Sequence, residues 1–586
     1  MLLLENIIPS ITWIKSYNKS HLKGDLSAGL TVGVMLIPQG MAYAMIAGLP
    51  PVYGLYASLV PLIVYAFLGT SRQLSVGPVA MDSLFVAATV SVMAVSGSTH
   101  YIELAILLAL MIGALQLIFG LVRLGFLVNF LSKPVIVGFT SAAALIIACN
   151  QLGYLMGIDL PKNNQLHLLV RDLVQMIGDF HVATFIFGLI GIAFVIILKM
   201  IWKKFPAGLV LVFIGTIVVA FFGLDRFGIS IVKDVPSGLP DFHVPYFSQQ
   251  DFLALLPAAF ALSLIAFMEA ITVAKAIEEK KGTSRINANK ELIALGSSNI
   301  IGSLFSSYPV TGGFSRTAVN NEAGAKTPFA GLISALVIFA ALLFMTDLFF
   351  YLPKVLLAVI IILAVVGLID IKSIKTWWRT DRIDFAMCVI TFVATATIGI
   401  QQGIFIGVIL SLVVLIYAVS NPHMAVVGKI PGTNLYRNVE RFEDVELNPE
   451  VMIIRFDAGL FYGNADYFRD KLLEYEKNRT IASGHVTNVL KAIIIDASGI
   501  NSVDSTAIYM IRKLKIFYKK RNVQLLFSGL KGPVRDKFNQ NRIYTELGEE
   551  FFFVNIDDAE KYLRGEKCSF DGNVARQSNF KLRTRR

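Results

Sequence analysis

Tyr308 to Asn321 reads YPVTGGFSRTAVNN, a polar, glycine-broken stretch set in a strongly apolar chain. Pro309 and the Gly312–Gly313 pair break a membrane helix, and Ser315-Arg316-Thr317 opens a new, short one directly after them. A helix that begins at membrane depth turns its free backbone N–H groups toward whatever cavity it lines. Arg316 adds one fixed positive side chain beside them. The combination describes one wall of an anion-binding site inside a membrane, and implies a membrane anion transporter.

The surrounding composition is that of a polytopic membrane protein. Of 586 residues, 55% are hydrophobic and only 16% charged, whereas a soluble chain carries about 25% charged residues. The net charge of +11 implies no nucleic-acid partner, because surplus Lys and Arg in a membrane protein mark cytoplasmic loops. Cys149, Cys388 and Cys568 are far apart in the chain and suggest neither a disulfide framework nor a metal site, and no cofactor motif is present. The opening MLLLENIIPSITWIKSYNKS has no basic n-region, so no cleaved signal peptide is expected. Residues 1–24 instead read as a cytoplasmic amphipathic segment at the membrane surface.

Residues 25–421 fall into roughly fourteen apolar blocks, several too short or too interrupted to span the bilayer core unaided. Their centres lie near Leu36, Leu59, Leu84, Leu115, Ala143, Gly191, Ile214, Ile265, Ala294, Val319, Ala335, Ile361, Val393 and Leu410. Basic residues follow the even-numbered blocks: Lys199, Lys203 and Lys204; Lys275 to Lys290 with Lys280, Lys281 and Arg285; and Lys372, Lys375, Arg379 and Arg382. That asymmetry puts both termini in the cytoplasm. Residues 422–431 read as a linker, 432–565 as a mixed cytoplasmic domain, and 566–586 as a basic, disordered tail.

The third block repeats the design of the tenth. Arg72 to Pro78, RQLSVGP, is a short extended run, and a helix is predicted to open at Pro78-Val79-Ala80 with proline in its first position. Gly77 lets backbone approach a ligand closely. Blocks three and ten are an odd number apart, so two matching halves have opposite orientation, as in an inverted repeat whose discontinuous helices meet near the midplane.

Other residues stand out chemically. Arg316 reads as part of the positive potential of the site or as a structural cation neutralised by carbonyls or Glu322, and the two are compatible, since a cation a turn behind the site still raises that potential. Glu269, in AFALSLIAFMEAITVAKAI, has apolar neighbours on all faces upstream, and desolvation there disfavours its charged form. It suits proton coupling, ligation of a sodium ion, or an interhelical salt bridge to Arg316. Asp82 either lines the pathway or bonds a neighbouring helix. Gln39 and Tyr43 are four residues apart, hence on one helical face; they either floor a small site or bond to neighbouring helices. Lys133 reads as an interfacial, snorkelling residue. Two helix N-termini at about +0.5 each, plus Arg316, amount to roughly +2. A divalent anion balances this when Glu269 is protonated or paired, and a monovalent one when it is ionised.

From Glu450 the chain alternates strand and helix: VMIIRF, ADYFRDKLLEYEK, AIIIDAS, DSTAIYMIRKLKIFYKKR and VQLLFSG. This predicts a small α/β domain. Asp504 suits a helix N-cap, leaving Ser505 exposed at the helix start. The insert Asn478 to Asn488 reads as a mobile loop. No Walker lysine and no nucleophile–base pair is present, so no enzyme is expected.

LIPQGMAYAMIAGLPPVYGLYAS (Leu36 to Ser58), GTSRQLSVGPVAMDSL (Gly69 to Leu84) and ELIALGSSNIIGSLFSSYPVTGGFSRTAVNNEAGAKTP (Glu291 to Pro328) resemble the signature regions of the sulfate permease (SulP) anion-transporter family. DASGINSVDSTA, Asp496 to Ala507, resembles the STAS domain these transporters carry. The resemblance implies a 7+7 inverted repeat, elevator-type movement, a homodimer, and an anion held between half-helices three and ten. Here those are Val76, Gly77, Pro78, Val79 and Ala80, and Phe314, Ser315 and Arg316, with Gln39 and Tyr43 nearby. The family's eighth-helix acid falls on Glu269. A sodium-coupled, bicarbonate-transporting branch has Asp there and Thr four residues later, where this chain has Glu269 and Val273, a departure that favours protons. The serine phosphorylated in relatives of STAS falls on Ser505, a candidate contact for a cytoplasmic regulator. The expectation is a bacterial inner-membrane, proton-coupled sulfate carrier. Bicarbonate or dicarboxylate transport coupled to sodium or protons, anion exchange, and an uncoupled anion channel are the alternatives.

Overall fold

The computed structural model describes residues 10–566 except 16, 127–131, 159, 161–162, 164, 203–206, 234–235, 247, 282–285, 368 and 483–489. The basic tail, most of the Asn478–Asn488 insert, the first nine residues, Lys203, Lys204 and Arg285 therefore lie outside the described residues. Residues 1–412 and 413–586 form two compact units.

The apolar blocks are helices. In chain order they are α1 (Lys19–Ile46), α2 (Val60–Leu68), α3 (Ala80–Val90), α4 (Thr99–Leu121), α5 (Lys133–Met156), α6 (Val182–Ile201), α7 (Ala207–Phe222), α8 (Gln249–Lys281), α9 (Ala288–Ser303), α10 (Phe314–Glu322), α11 (Phe329–Phe344), α12 (Lys354–Val366), α13 (Arg382–Thr397) and α14 (Ile400–Ser420). Among the described residues, α1, α4, α5 and much of α8 and α14 are long and apolar enough to cross a bilayer singly. The remaining apolar helices are shorter or bent and need neighbours to satisfy the backbone at their ends.

With no hydrophobic drive between helices in lipid, close packing depends on small residues. A Cβ on Gly29 of α1 would stand 2.5 Å from Ile333 Cβ of α11, and one on Gly113 of α4 would stand 2.7 Å from the Gly296 carbonyl of α9. Side chains reinforce these contacts: Ser334 Oγ donates to Gly29 O at 2.8 Å, and Asn299 Nδ2 of α9 donates to Gln116 Oε1 of α4 at 3.3 Å. Pro38 lies inside α1 without ending it.

Two buried carboxylates tie chain breaks to helix starts. Asp25 in α1 accepts from Lys326 N at 2.7 Å, Thr327 N at 3.0 Å and Thr327 Oγ1 at 2.6 Å. Glu291, in the first turn of α9, accepts from Tyr65 Oη at 2.8 Å, Thr70 N at 2.7 Å and Ser71 N at 3.0 Å. These segments lie just after α10 and just before α3, so both half-helices are anchored at their connections.

The half-helices are the deciding feature. Each is short and follows an extended pair, β1 (Val76–Gly77) before α3 and β2 (Thr311–Gly312) before α10. β1 and β2 pair antiparallel, with Val76 opposite Gly312 and Gly77 opposite Thr311. Gly313 N adds a bond to Ser75 O at 3.1 Å. The ribbon is held from outside by Asn299, whose Oδ1 accepts from Val310 N at 2.9 Å and whose Nδ2 donates to Val310 O at 3.0 Å. Thr317 Oγ1 accepts from Ser75 N at 3.1 Å. One expectation needs correcting: α3 starts at Ala80 with Val79 as extended N-cap, so Pro78 precedes the cap instead of occupying the first turn. Pairing holds the chain extended through Gly77, and Val79 is extended as the N-cap, so the helix begins two residues later than the proline alone suggests.

The second unit contains β3 (Met424–Lys429), β4 (Tyr436–Asn438), β5 (Val451–Phe456), α15 (Ala465–Ala482), β6 (Ala492–Asp496), α16 (Ser505–Lys519), β7 (Gln524–Ser528), α17 (Gly532–Gln540), β8 (Phe552–Phe553) and α18 (Ile556–Leu563). The sheet order is β4-β3-β5-β6-β7-β8. β5 to β8 are parallel, and β3 is antiparallel to both its neighbours. Every residue of β6 is buried, as a central parallel strand covered on both faces requires. Asp504 caps α16, accepting from Ala507 N at 2.8 Å, and Ser505 is the exposed first residue of that helix.

Candidate functional site

A cavity of about 750 Å³ opens where α1, α5, α8 and the starts of α3 and α10 converge. Gln39, Tyr43, Val79, Ala80, Glu269, Phe314, Ser315 and Arg316 all line it. Val76, Gly77 and Pro78 do not: they lie behind the wall, where Val76 and Gly77 form the ribbon and Pro78 offers its carbonyl to Arg316. The sequence places all of them on one short segment, but the extended pairing turns only its last residues toward the space.

Neither half-helix receives a side-chain cap at its N-terminus. The N-caps Val79 and Gly313 themselves line the cavity, so the first-turn amides of both helices point their partial positive charge to one place. Arg316 is 1% exposed. Its Nη1 donates to Pro78 O at 2.6 Å, while Nε and Nη2 are buried without a hydrogen-bond partner. A buried guanidinium with two unsatisfied donors is costly unless something enters to accept from it. The side chain folds back over Gly313, where an added Cβ would meet Nη2 at 2.7 Å. This explains the second glycine of the pair.

Gln39 Nε2 donates to Tyr43 Oη at 2.8 Å, and Gln39 Oε1 is buried without a partner. The pair thus bonds internally, across one helical turn. Glu269 Oε2 is likewise buried and unpartnered, and no ion pair joins Glu269 to Arg316 among the described residues. The two charges face the same cavity and act on one another across it. Glu322, the other carboxylate weighed against Arg316, is exposed. Asp82 is fully buried, just behind the wall, and neither of its oxygens has a partner.

The structure adds residues that periodicity left unmarked. Lys133, read as an interfacial residue, is exposed at the start of α5 and also borders the cavity, with Thr140 a little further along that helix. Thr272 and Val273 continue the wall along α8 from Glu269. The Lys-Pro start of α5 was the available signal for Lys133, but nothing local shows that α5 passes the two half-helices.

Residues 22–391 match the Sulfate permease family, and residues 443–559 match the STAS domain. The chain belongs to the sulfate permease family. Sulfate transporter 4.1, chloroplastic, from Arabidopsis thaliana is 38% identical to it over 567 residues, covering 95% of this chain and 82% of that protein. High affinity sulfate transporter 2 from Stylosanthes hamata is 34% identical, covering 95% and 86%. The structure of the murine Solute Carrier 26 family member A9 anion transporter in the inward-facing state superposes with a TM-score of 0.87 at 24% identity, covering 96% of this chain and 95% of that one. The transmembrane domain of a cyanobacterium bicarbonate transporter, BicA, superposes with a TM-score of 0.58 at 23% identity, covering 68% and 98%. These two likenesses establish the fold. This sulfate permease family member is therefore a multi-pass membrane protein with a C-terminal STAS domain, and belongs among transporters, not enzymes.

Proposed function

We propose that this chain is a secondary active transporter of inorganic anions, with sulfate as its favoured substrate and protons as the coupling ion. The observation that carries the reading is Arg316, buried beside two uncapped helix N-termini with two donors unused. Such a place is electropositive and short of an acceptor; an oxyanion supplies what it lacks. Phe314, Ser315, Val79 and Ala80 form the contact surface, with Gln39 and Tyr43 flooring it and Val76, Gly77 and Pro78 supporting it from behind. Relatives named sulfate transporters across nearly the whole chain favour sulfate over other anions.

Glu269 is the coupling acid in this reading. Its unpartnered oxygen faces the cavity, and protonating it raises the net positive charge available to the substrate. Val273 one turn on offers no oxygen for a metal, which favours protons over sodium. The β1–β2 ribbon joins both half-helices into one piece, so the site can travel as a body in elevator-type alternating access. The transport domain spans 25–421, in a 7+7 inverted repeat, and the C-terminal domain runs to 565, its sheet taking in β3 (Met424–Lys429) from the 422–431 segment that the sequence alone reads as a linker. The carrier works as a homodimer in a bacterial inner membrane with both termini cytoplasmic. Ser505, exposed at the start of α16, is the contact for a cytoplasmic regulator, where an added phosphate would meet free helix amides.

Purified protein in proteoliposomes tests this directly. An inward proton gradient should drive accumulation of labelled sulfate, and a sodium gradient should not. Uptake of bicarbonate without sulfate, or sulfate flux indifferent to both gradients, would overturn the reading.

A further inference from the structure

Lys372, Lys375, Arg379 and Arg382 mark the orientation of the chain but have no part in the carrier reading. Three of them lie on a ten-residue helix, Ile371–Thr380, between the apolar helices α12 and α13. Asp370 caps its start, accepting from Ser373 N at 3.0 Å. At helical spacing Lys372, Lys375, Thr376 and Arg379 share one face, and Ile371, Ile374 and Trp378 share the other. No residue of this helix is buried; Ile371 is 57% and Trp378 51% exposed. Trp378 meets α13 edge-on through Phe385, with ring centroids 4.8 Å apart, and the Arg382 guanidinium lies 3.9 Å over its ring. The apolar outer surface continues from there along α13 in Ile383, Val389, Ile390 and Val393, all exposed. Lys372, Lys375 and Arg379 border an open hollow of about 690 Å³, to which Trp378 and Phe385 add an apolar side. Among the described residues no acid lines this hollow and no carboxylate pairs with the three cations. Asp381, the acid next along the chain, is engaged as the cap of α13, accepting from Ile383 N at 2.9 Å and Asp384 N at 3.1 Å.

We propose that Ile371–Thr380 is a docking surface for anionic phospholipid headgroups, with Lys372, Lys375 and Arg379 meeting lipid phosphates while Ile371 and Trp378 sit among the acyl chains. Two features select this occupant. The apolar face runs on from the exposed flank of α13, a membrane helix whose outer residues need hydrocarbon, so the same lipid covers both. The opposite face carries unpaired cations, which complement an anionic headgroup layer; each Lys or Arg held near such a layer adds attraction that fades within a Debye length. Long Lys and Arg stems lie along apolar surface and carry their charges up to the phosphates. Asp370 closes the helix N-terminus, so side chains make these contacts and free amides do not. Because the helix joins α12 to α13, bound lipid holds the ends of both against one leaflet. The surface is separate from the anion cavity and does not depend on what that cavity carries.

The chain has four tryptophans, Trp13, Trp202, Trp377 and Trp378, so Trp13→Phe, Trp202→Phe and Trp377→Phe together leave Trp378 as a reporter. The full-length protein is placed in phosphatidylcholine bilayers, and quenching of Trp378 by phosphatidylglycerol with brominated chains is compared with quenching by brominated phosphatidylcholine at matched mole fractions. Both should quench, and phosphatidylglycerol should be preferred by about fivefold or more. Combining Lys372→Gln, Lys375→Gln and Arg379→Gln should bring the preference to about one, whereas Lys372→Arg with Lys375→Arg should keep it. Raising salt to 1 M, where the Debye length is about 3 Å, should weaken the preference. Millimolar inorganic phosphate should leave it unchanged. Equal quenching by the two lipids, or a preference that survives the three glutamines, would overturn the proposal. So would a preference abolished by inorganic phosphate, which would make the surface a site for free anions. Quenching by neither lipid would show that protein covers the face, whether the C-terminal domain or an acidic partner. Should the glutamine variant not fold, a preference unmoved by salt overturns the proposal. Should the reporter not fold, native mass spectrometry of the wild type, counting retained phosphatidylglycerol against phosphatidylcholine, decides by the same ratio.

Discussion

Arg316 donates once, to Pro78, and keeps two buried N–H groups without acceptors. If those donors meet the anion, Arg316→Ala removes charge-assisted bonds worth roughly 2–3 kcal/mol, a rise in sulfate Kd of about 30- to 150-fold. Calorimetric titration checks it, and an affinity unchanged across several anions would make the arginine purely structural. Gly313→Ala tests the support of that side chain, because the new Cβ would stand 2.7 Å from Nη2. It should weaken binding by roughly 1–3 kcal/mol while leaving the melting temperature within a few degrees. At this scale the sequence was informative wherever a polar residue interrupts an apolar run. Arg316, Glu269, Gln39 and Tyr43 announced themselves so, and all four line one cavity. Their partners did not. That Gln39 bonds Tyr43, that Arg316 bonds Pro78 instead of Glu269, and that Asp82 bonds nothing depend on rotamers and on helices distant in the chain.

The elements that matter most are the two half-helices and the ribbon between them. Asn299 on α9 satisfies both the N–H and the C=O of Val310, at 2.9 and 3.0 Å. Asn299→Leu leaves these buried groups without that partner, at a cost of roughly 1–3 kcal/mol each. Thermal unfolding in detergent should show the loss, and sulfate transport should fall further than stability alone explains, because the ribbon positions both helix ends. A variant with wild-type melting and full transport would show that the ribbon holds itself. Pro309, Gly312 and Gly313 made the breaks legible in the sequence, as did Gly77 and Pro78. The register of Val76 with Gly312 was not legible, since a two-residue strand carries no periodicity and its partner lies far along the chain. For that reason the sequence alone puts the start of α3 at Pro78, two residues before its actual start at Ala80.

Across the whole molecule, apolar blocks give way to strand–helix alternation, and that change in pattern marked both the membrane helices and the STAS domain. Within the latter, Lys561 Nζ lies 2.7 Å from Asp557, which Lys429 also reaches. Burial works against the Asp557 charge, but hydrogen bonds from Lys429 and Lys561 outweigh it and hold the carboxyl below its usual range. The sign follows: this contribution to stability is fully present above the ordinary aspartate value near ~4 and is lost as pH falls through the lower folded value. Hydrogen exchange of β3 and α18 in the full-length protein, corrected for intrinsic rates, should show protection falling in that acid window. Asp557→Asn should remove the dependence at a cost of about 1–2 kcal/mol. The tie of Lys429 at one end of this domain to Asp557 at the other could not be foreseen, because nothing local pairs β3 with α18.

The central claim is that the uncapped starts of α3 and α10, with Arg316 between them, hold the transported anion. Crystals grown with selenate, a heavier analogue of sulfate, test it most directly through anomalous scattering. A selenium peak is expected in the cavity, its oxygens about 3 Å from first-turn amides of both half-helices and from the Arg316 guanidinium, and displaced by sulfate. A sulfate-displaceable peak elsewhere in the chain, with this cavity empty, would contradict it.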